Sequence, residues 1–225
     1  MHVLRFPEPY EPTPSPMTTI IDYGIGNLRS IEKAFEAVGA DVVRTDDADT
    51  ILSADRVVLP GVGAFGACMT EVAARELTPV VRRVVDQGTP FLGVCVGMQM
   101  LFSEGHERGT YEGLGILPGT VVHFNDADAA TSSMSDRKVP HMGWNTLDVR
   151  RDSPLLANIE PGDYVYFVHS YHAQADHDAD VLASSTYDHA FPAIVQRDNV
   201  FGVQFHPEKS HAVGLQLLKN FAALS

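Results

Sequence analysis

Hydrophobic positions along the chain change period in a way that separates strands from helices. Residues 18–22 are a short apolar-rich run that reads as a buried strand and leads into the loop Tyr23-Gly24-Ile25-Gly26. Leu28, Ile31, Phe35 and Val38 then recur at helical spacing, with Asn27 placed to cap the helix and Gly39 to end it. Further strands are expected at 41–44, 56–59 and 90–94, with a helical stretch over 66–86 that breaks at Pro79 and stops at Gly88. Strand alternates with helix over 18–104, which predicts βαβ units and a mostly parallel sheet. The second half changes character. Short strands separated by turns are expected at 121–124, 144–149, 164–168, 181–185, 193–196 and 200–205. They predict antiparallel additions, with Arg197-Asp198-Asn199 as one hairpin turn. A closing amphipathic helix runs from 209 or 210 to 224 through Val213, Leu217, Leu218 and Phe221. The Asp/Ser-rich stretch 125–138 reads as a mobile loop.

At 225 residues, this pattern fits one α/β domain over 17–225. Residues 1–16 carry five prolines and no apolar h-region, so they read as a disordered leader and not a secretory signal. No apolar run approaches the roughly 18 residues that would argue for a membrane span. With 16 Lys+Arg against 29 Asp+Glu, the net charge of −13 argues against a nucleic-acid partner. The two cysteines, Cys68 and Cys95, form no disulfide framework and no C-x-x-C zinc spacing. Cys68 reads as a buried, inert thiol. The ten histidines show no metal-ligand spacing, and His172 and His177 read as solvated residues of an Asp-rich turn. Neither a metal nor a cofactor is expected.

The chemistry sits at Gly93-Val94-Cys95-Val96-Gly97, which follows the apolar Phe91-Leu92 and precedes the helix-like Met98-Gln99-Met100-Leu101-Phe102. A strand, a tight turn and a helix would expose the Cys95 sulfur, and the flanking glycines would let neighbouring backbone approach. The N-terminus of the following helix would favour the thiolate. Near the other end stands His206-Pro207-Glu208. Proline holds the preceding residue extended, so His206 and Glu208 point to one side, roughly 6–7 Å apart. A nucleophile, a base and an orienting carboxylate are then all available. A surface turn without a role is the alternative for His206-Pro207-Glu208 alone. A third element, Pro60-Gly61-Val62-Gly63-Ala64-Phe65, follows the 56–59 strand. A dinucleotide fingerprint is poorly formed there, and an oxyanion hole built from the N–H groups of Val62, Gly63 and Val96 is preferred.

These motifs resemble class I, triad-type glutamine amidotransferases. Further segments narrow the resemblance to the glutaminase subunits of imidazole glycerol phosphate synthases. They are Ile21-Asp22-Tyr23-Gly24-Ile25-Gly26-Asn27-Leu28, Pro140-His141-Met142-Gly143-Trp144-Asn145 and Phe167-Val168-His169-Ser170-Tyr171. The resemblance implies a flavodoxin-like α/β fold, cytoplasmic location and a role in histidine biosynthesis. It implies that Cys95 attacks the amide of glutamine, that His206 is base and acid, and that Glu208 orients it. Gly63, Gln99, Ser170 and Tyr171 would hold the substrate. Ammonia would pass to a separate (β/α)8-barrel subunit in a heterodimer, with Trp144, Asn145, Tyr166 and Lys209 facing that partner. Val96 departs from the family's usual leucine but leaves its N–H available. Trp144 as a core aromatic and Gln99 as a solvated helix residue are the plainer readings of those two positions. Another triad amidotransferase, or a stand-alone cysteine γ-glutamyl hydrolase, is the alternative function.

Overall fold

The computed structural model describes residues 16–126 and 138–225. The expectations for the 1–16 leader and the 125–138 loop therefore fall almost wholly outside the described residues. The first half alternates as its periodicity predicts: β1 (Met17–Ile21), α1 (Leu28–Ala37), β2 (Asp41–Thr45), α2 (Ala48–Leu52), β3 (Arg56–Gly61), α3 (Phe65–Ala74), α4 (Leu77–Asp86), β4 (Phe91–Cys95) and α5 (Val96–Gln99). The strands that follow are β5 (Phe102–Gly105), β6 (Tyr111–Glu112), β7 (Leu117–His123), β8 (His141–Thr146), β9 (Asp148–Val149), β10 (Tyr164–His169) and β11 (Tyr171–Ala175). The chain closes with β12 (Val181–Tyr187), β13 (His189–Arg197), β14 (Val200–Val203) and α6 (His211–Ala222).

The main sheet has the order β2-β1-β3-β4-β14-β13-β12-β9. Its first five strands run parallel, and the last three are added antiparallel. A second sheet, β11-β7-β5-β6, and the ribbon β8–β10 complete the fold. β3, β4 and β14 are buried at every position. That is why they read as continuous apolar runs: helices cover both faces of a parallel sheet. α1 buries Ile31, Ala34 and Phe35, and Phe35 meets Phe221 of α6 edge-on at 6.2 Å.

Three expectations need correction. The 66–86 helix is two helices, and the break falls at Glu76 (φ 56), not at Pro79. Pro79 lies in the first turn of α4, where a missing N–H costs no intrahelical bond. The apolar run 98–102 is not one helix: α5 ends at Gln99, and Phe102 opens a strand. A four-residue helix has little macrodipole, so the help expected from that helix N-terminus at Cys95 is small. His172, expected in solvent, is buried on β11 against Phe124 and Phe191.

Candidate active site

The elbow at Cys95 is made by the sequence around it. Cys95 has φ 56 and ψ −113, a conformation that L-residues avoid, and it turns the side chain out of β4. A β-carbon at Gly97 would lie 1.8 Å from the Leu59 carbonyl oxygen, and one at Gly93 would lie 2.6 Å from that of Gly97. Only glycine at these two positions lets α5 fold back over β3 and β4. Register then brings Gly61 opposite Cys95, so the Pro60–Phe65 turn stands beside the sulfur.

His206 arrives from the other end of the chain. Its backbone is extended, and Pro207 starts a short 3-10 turn through Lys209. The His206 amide donates to the Tyr166 carbonyl (2.9 Å). Ser210 Oγ accepts from the Tyr166 amide (2.9 Å) and donates to the His206 carbonyl (2.7 Å). β10 therefore fixes the base at the mouth of the elbow. His206 Nδ1 is 2.9 Å from Glu208 Oε1, leaving Nε2 for the side of the ring nearer Cys95, which lines the same cavity. Burial alone would lower the His206 pKa. The bonds to Cys95 and Glu208 and their charges outweigh it and raise the imidazole to about 10. Burial likewise works to raise the Glu208 carboxyl, but the bond and charge of His206 hold it below its usual range. The arrangement favours an imidazolium between a carboxylate and a sulfur.

Asn27 is a second polar residue, after His172, whose part sequence reasoning misread. It makes no side-chain cap for α1; its Nδ2 donates instead to Glu208 Oε1 at 3.2 Å. The two residues are 181 positions apart, so local sequence holds no signal of the contact. Replacing Asn27 by Leu is expected to lower catalytic turnover about tenfold, the order of one lost charge-assisted bond. Because Asn27 does not line the cavity that holds Cys95, KM should stay within about twofold. A changed KM with intact turnover would refute this role.

Cys95, Val62, Gly63, Val96, Gln99, Ser170, Tyr171, His206 and Lys209 line one cavity of about 240 Å³, together with Glu107, Val168 and His169. Larger clefts of about 460 Å³ along residues 149–161 and about 360 Å³ beside Arg82 and Asn199 hold no cysteine or histidine. Volume does not single out the site; the chemistry does. Gln99 is buried, not solvated. Its Nε2 donates to the Tyr171 carbonyl (2.9 Å) and to Gln204 Oε1 (3.1 Å), which leaves Oε1 as its available acceptor. Glu107, which sequence reasoning did not single out, accepts the Phe65 amide (2.7 Å) and brings a carboxylate to the cavity wall. Behind the turn, Tyr23 Oη donates to the Pro60 carbonyl (2.8 Å) and the Cys68 thiol to the Val62 carbonyl (3.4 Å). Burial pushes the Cys68 thiol up, so it stands there as a neutral donor.

Trp144, Tyr166 and Lys209 form one cluster beside the cavity. Trp144 is exposed, stacks on His211 at 4.9 Å and meets Tyr166 edge-on at 5.9 Å; Lys209 Nζ lies 5.9 Å over the Tyr166 ring. Trp144 is thus no core aromatic. Asn145 points away from that cluster, donating to the Thr186 carbonyl (2.9 Å) and to His141 Nε2 (3.3 Å). Among the described residues no group of His, Cys, Asp and Glu is placed to hold a metal, and no helix is long and apolar enough to cross a membrane.

Comparison with known proteins gives the family. Residues 19–224 match the family "Glutamine amidotransferase class-I". The chain is 61% identical over 208 residues to imidazole glycerol phosphate synthase subunit HisH of Salinibacter ruber, covering 92% of this chain and 94% of that one. It is 49% identical over 203 residues to the protein of the same name from Geobacter metallireducens, covering 90% and 96%. The crystal structure of a putative GMP synthase component from Thermoplasma acidophilum superposes with a TM-score of 0.67 at 18% identity, covering 93% and 94%. At that identity the likeness concerns the fold alone.

Proposed function

Since the chain belongs to the class I glutamine amidotransferase family, we infer that it is the glutaminase subunit of an imidazole glycerol phosphate synthase. It hydrolyses glutamine to glutamate and ammonia and works in histidine biosynthesis with a synthase subunit. The observation that carries the reading is the His206 imidazole, held by Glu208 at 2.9 Å and sharing with Cys95 the lining of an amino-acid-sized cavity.

The chemistry follows from the groups in place. The Cys95 thiolate adds to the side-chain amide carbon of glutamine, and the electron pair of the carbonyl moves onto its oxygen. N–H groups of the Val62–Gly63 turn and of Val96 receive that oxyanion. His206, protonated at Nε2, gives its proton to the departing nitrogen; the C–N bond breaks, ammonia leaves and a glutamyl thioester remains. Water then adds to the thioester as His206 takes its proton. Collapse of the second tetrahedral species expels the thiolate and releases glutamate. Gln99 Oε1 and the backbone at Ser170 and Tyr171 hold the amino-acid end of the substrate, and the Glu107 carboxylate faces its ammonium group.

Ammonia goes to a (β/α)8-barrel partner that binds in a heterodimer over Trp144, Tyr166 and Lys209, on the face of the ribbon opposite the Asn145 side chain. There it supplies the nitrogen for imidazole glycerol phosphate and AICAR. The complex works in the cytoplasm. Co-expression with the synthase subunit tests the reading: the two chains should co-purify, and glutamate release should rise when the synthase ligand is added. A chain that hydrolyses glutamine at full rate alone and binds no synthase subunit would support the stand-alone hydrolase instead. Within this reading, Glu107→Gln removes only the charge that faces the ammonium. KM for glutamine should rise about tenfold or more with turnover nearly unchanged; a fall in turnover at constant KM would move Glu107 out of the binding role.

A further inference from the structure

Two histidines in the motifs that point to the family have no part in the chemistry above: His141 and His169. They are cross-strand partners in the β8–β10 ribbon and both are buried. His141 Nδ1 lies 3.0 Å from His169 Nε2, and His169 Nδ1 lies 2.8 Å from the Tyr171 carbonyl oxygen. His141 Nε2 lies 3.3 Å from Asn145 Nδ2.

The hydrogens in this chain of bonds have only one consistent arrangement. A carbonyl oxygen only accepts, so His169 Nδ1 must carry a proton. Burial lowers His169 to about 3, more than its bond to Tyr171 raises it, and burial lowers His141 to about 4. Both rings are therefore neutral. His169 Nε2 is then a bare acceptor, so the proton of His141 sits on Nδ1. His141 Nε2 in turn accepts from the Asn145 amide, whose Oδ1 is already bonded to the Thr146 amide at 2.8 Å. The bonds run in one direction, from Asn145 through His141 and His169 to the Tyr171 carbonyl.

That carbonyl also accepts from Gln99 Nε2 at 2.9 Å, and Gln99 and Tyr171 both line the substrate cavity. The His141 ring is clamped between Phe167 (4.8 Å, 26°) and Tyr187 (4.1 Å, 23°), so it has little freedom to answer a pull on one nitrogen by tilting alone. The other end of the hydrogen-bonded series lies on the ribbon whose exposed Met142, Trp144 and Tyr164 form an apolar edge.

We propose that His141 and His169 are positioning residues that tie the partner-facing ribbon to the glutamine cavity, setting the Tyr171 carbonyl and Gln99 according to the placement of Asn145. The proposal rests on the function inferred above, because it needs a synthase subunit to dock on that ribbon.

The test compares glutamate release by the isolated chain and by its complex with the synthase subunit, at saturating partner and with the synthase ligand present. His141→Phe keeps the stacked ring and deletes both nitrogens. Its stimulated turnover should fall about tenfold, the order of a broken buried hydrogen bond, while basal turnover stays within about twofold. His141→Gln restores a donor group and an acceptor group in place of the two ring nitrogens, and should recover stimulation to within about threefold of the wild type. Asn145→Ala should lower stimulation, and the double variant with His141→Phe should be no worse than either single one, as for residues in series. Equal losses of basal and stimulated turnover, a glutamine variant no better than the phenylalanine one, or multiplying effects at 141 and 145 would each overturn the relay. A wild-type chain that the synthase subunit does not stimulate would sink the inferred function itself, a different result from any of these.

Discussion

Cys95→Ala should abolish glutamate release, with a loss on the order of 10⁴-fold or more, the scale seen when the nucleophile of a triad is removed. The fold should survive. Alanine has the same β-carbon as cysteine, so the strained φ of 56 becomes no worse, and the glycines that let α5 close over β3 are untouched. Partner binding should survive too, because Cys95 lies inside the cavity and the apolar edge of the ribbon lies outside it. Free ammonium should then replace glutamine as the nitrogen donor for the partner's reaction, since the acceptor chemistry belongs to the other subunit. A glutamine-analogue electrophile should label Cys95 and spare Cys68, whose buried thiol has a raised pKa and is spent on the Val62 carbonyl. Turnover in the alanine variant, labelling at Cys68, or failure of ammonium to support synthesis by an active complex would each contradict the division of labour drawn here.

What could be read in the sequence was local. The Cys95 elbow announces itself because its strand, its glycines and its nucleophile fall within a few residues of one another. The same holds for His206-Pro207-Glu208, where a proline sets the backbone and spacing of two brings the side chains together. Parallel strands were legible because burial on both faces makes β3 and β4 continuous apolar runs. The strands β5, β6 and β11 were not, since each is short: β5 and β6 pair over only two positions across the loop 106–110, and β11 pairs with the distant β7. The run from Met98 to Phe102 carries no period that separates a buried helix from a buried strand, and the chain changes from one to the other within it.

The misread polar residues share a cause. Asn27 sits where a cap is wanted, yet its side chain serves a carboxylate brought in by the turn before α6. His172 lies in an Asp-rich neighbourhood that suggests solvent, but Phe124 and Phe191, contributed by other parts of the chain, close over its ring. Ser210 does stand at the start of α6 as expected, and its hydroxyl has a further use that the sequence does not show, bonding both β10 and the His206 carbonyl. In each case the chemistry of the side chain is evident from its type, and the tertiary fold decides where it is used.

Control of the glutaminase should reside in the turn between β3 and α3. A thiolate that consumed glutamine without a waiting acceptor would waste it, so the oxyanion donors are expected to align fully only in the liganded complex. The turn is held at its flanks and open at Gly63. Tyr23 and Cys68 tether the Pro60 and Val62 carbonyls from behind, while Gly63 has φ 85 and no atom within 4 Å of the place a β-carbon would occupy. Space is therefore available, and backbone conformation is the constraint. Gly63→Pro forces φ to about −65° and deletes an N–H proposed as an oxyanion donor. It should lower the stimulated rate by roughly 10²–10³, the cost of a missing oxyanion donor, and the basal rate far less. Gly63→Ala keeps the N–H and should cost only the strain of a left-handed residue, about 1–2 kcal/mol, so its stimulated rate should lie between those of the proline variant and the wild type. Equal fractional losses in the isolated chain and in the liganded complex would mean that the turn is already set before the partner arrives, and control would have to be sought elsewhere in the cavity.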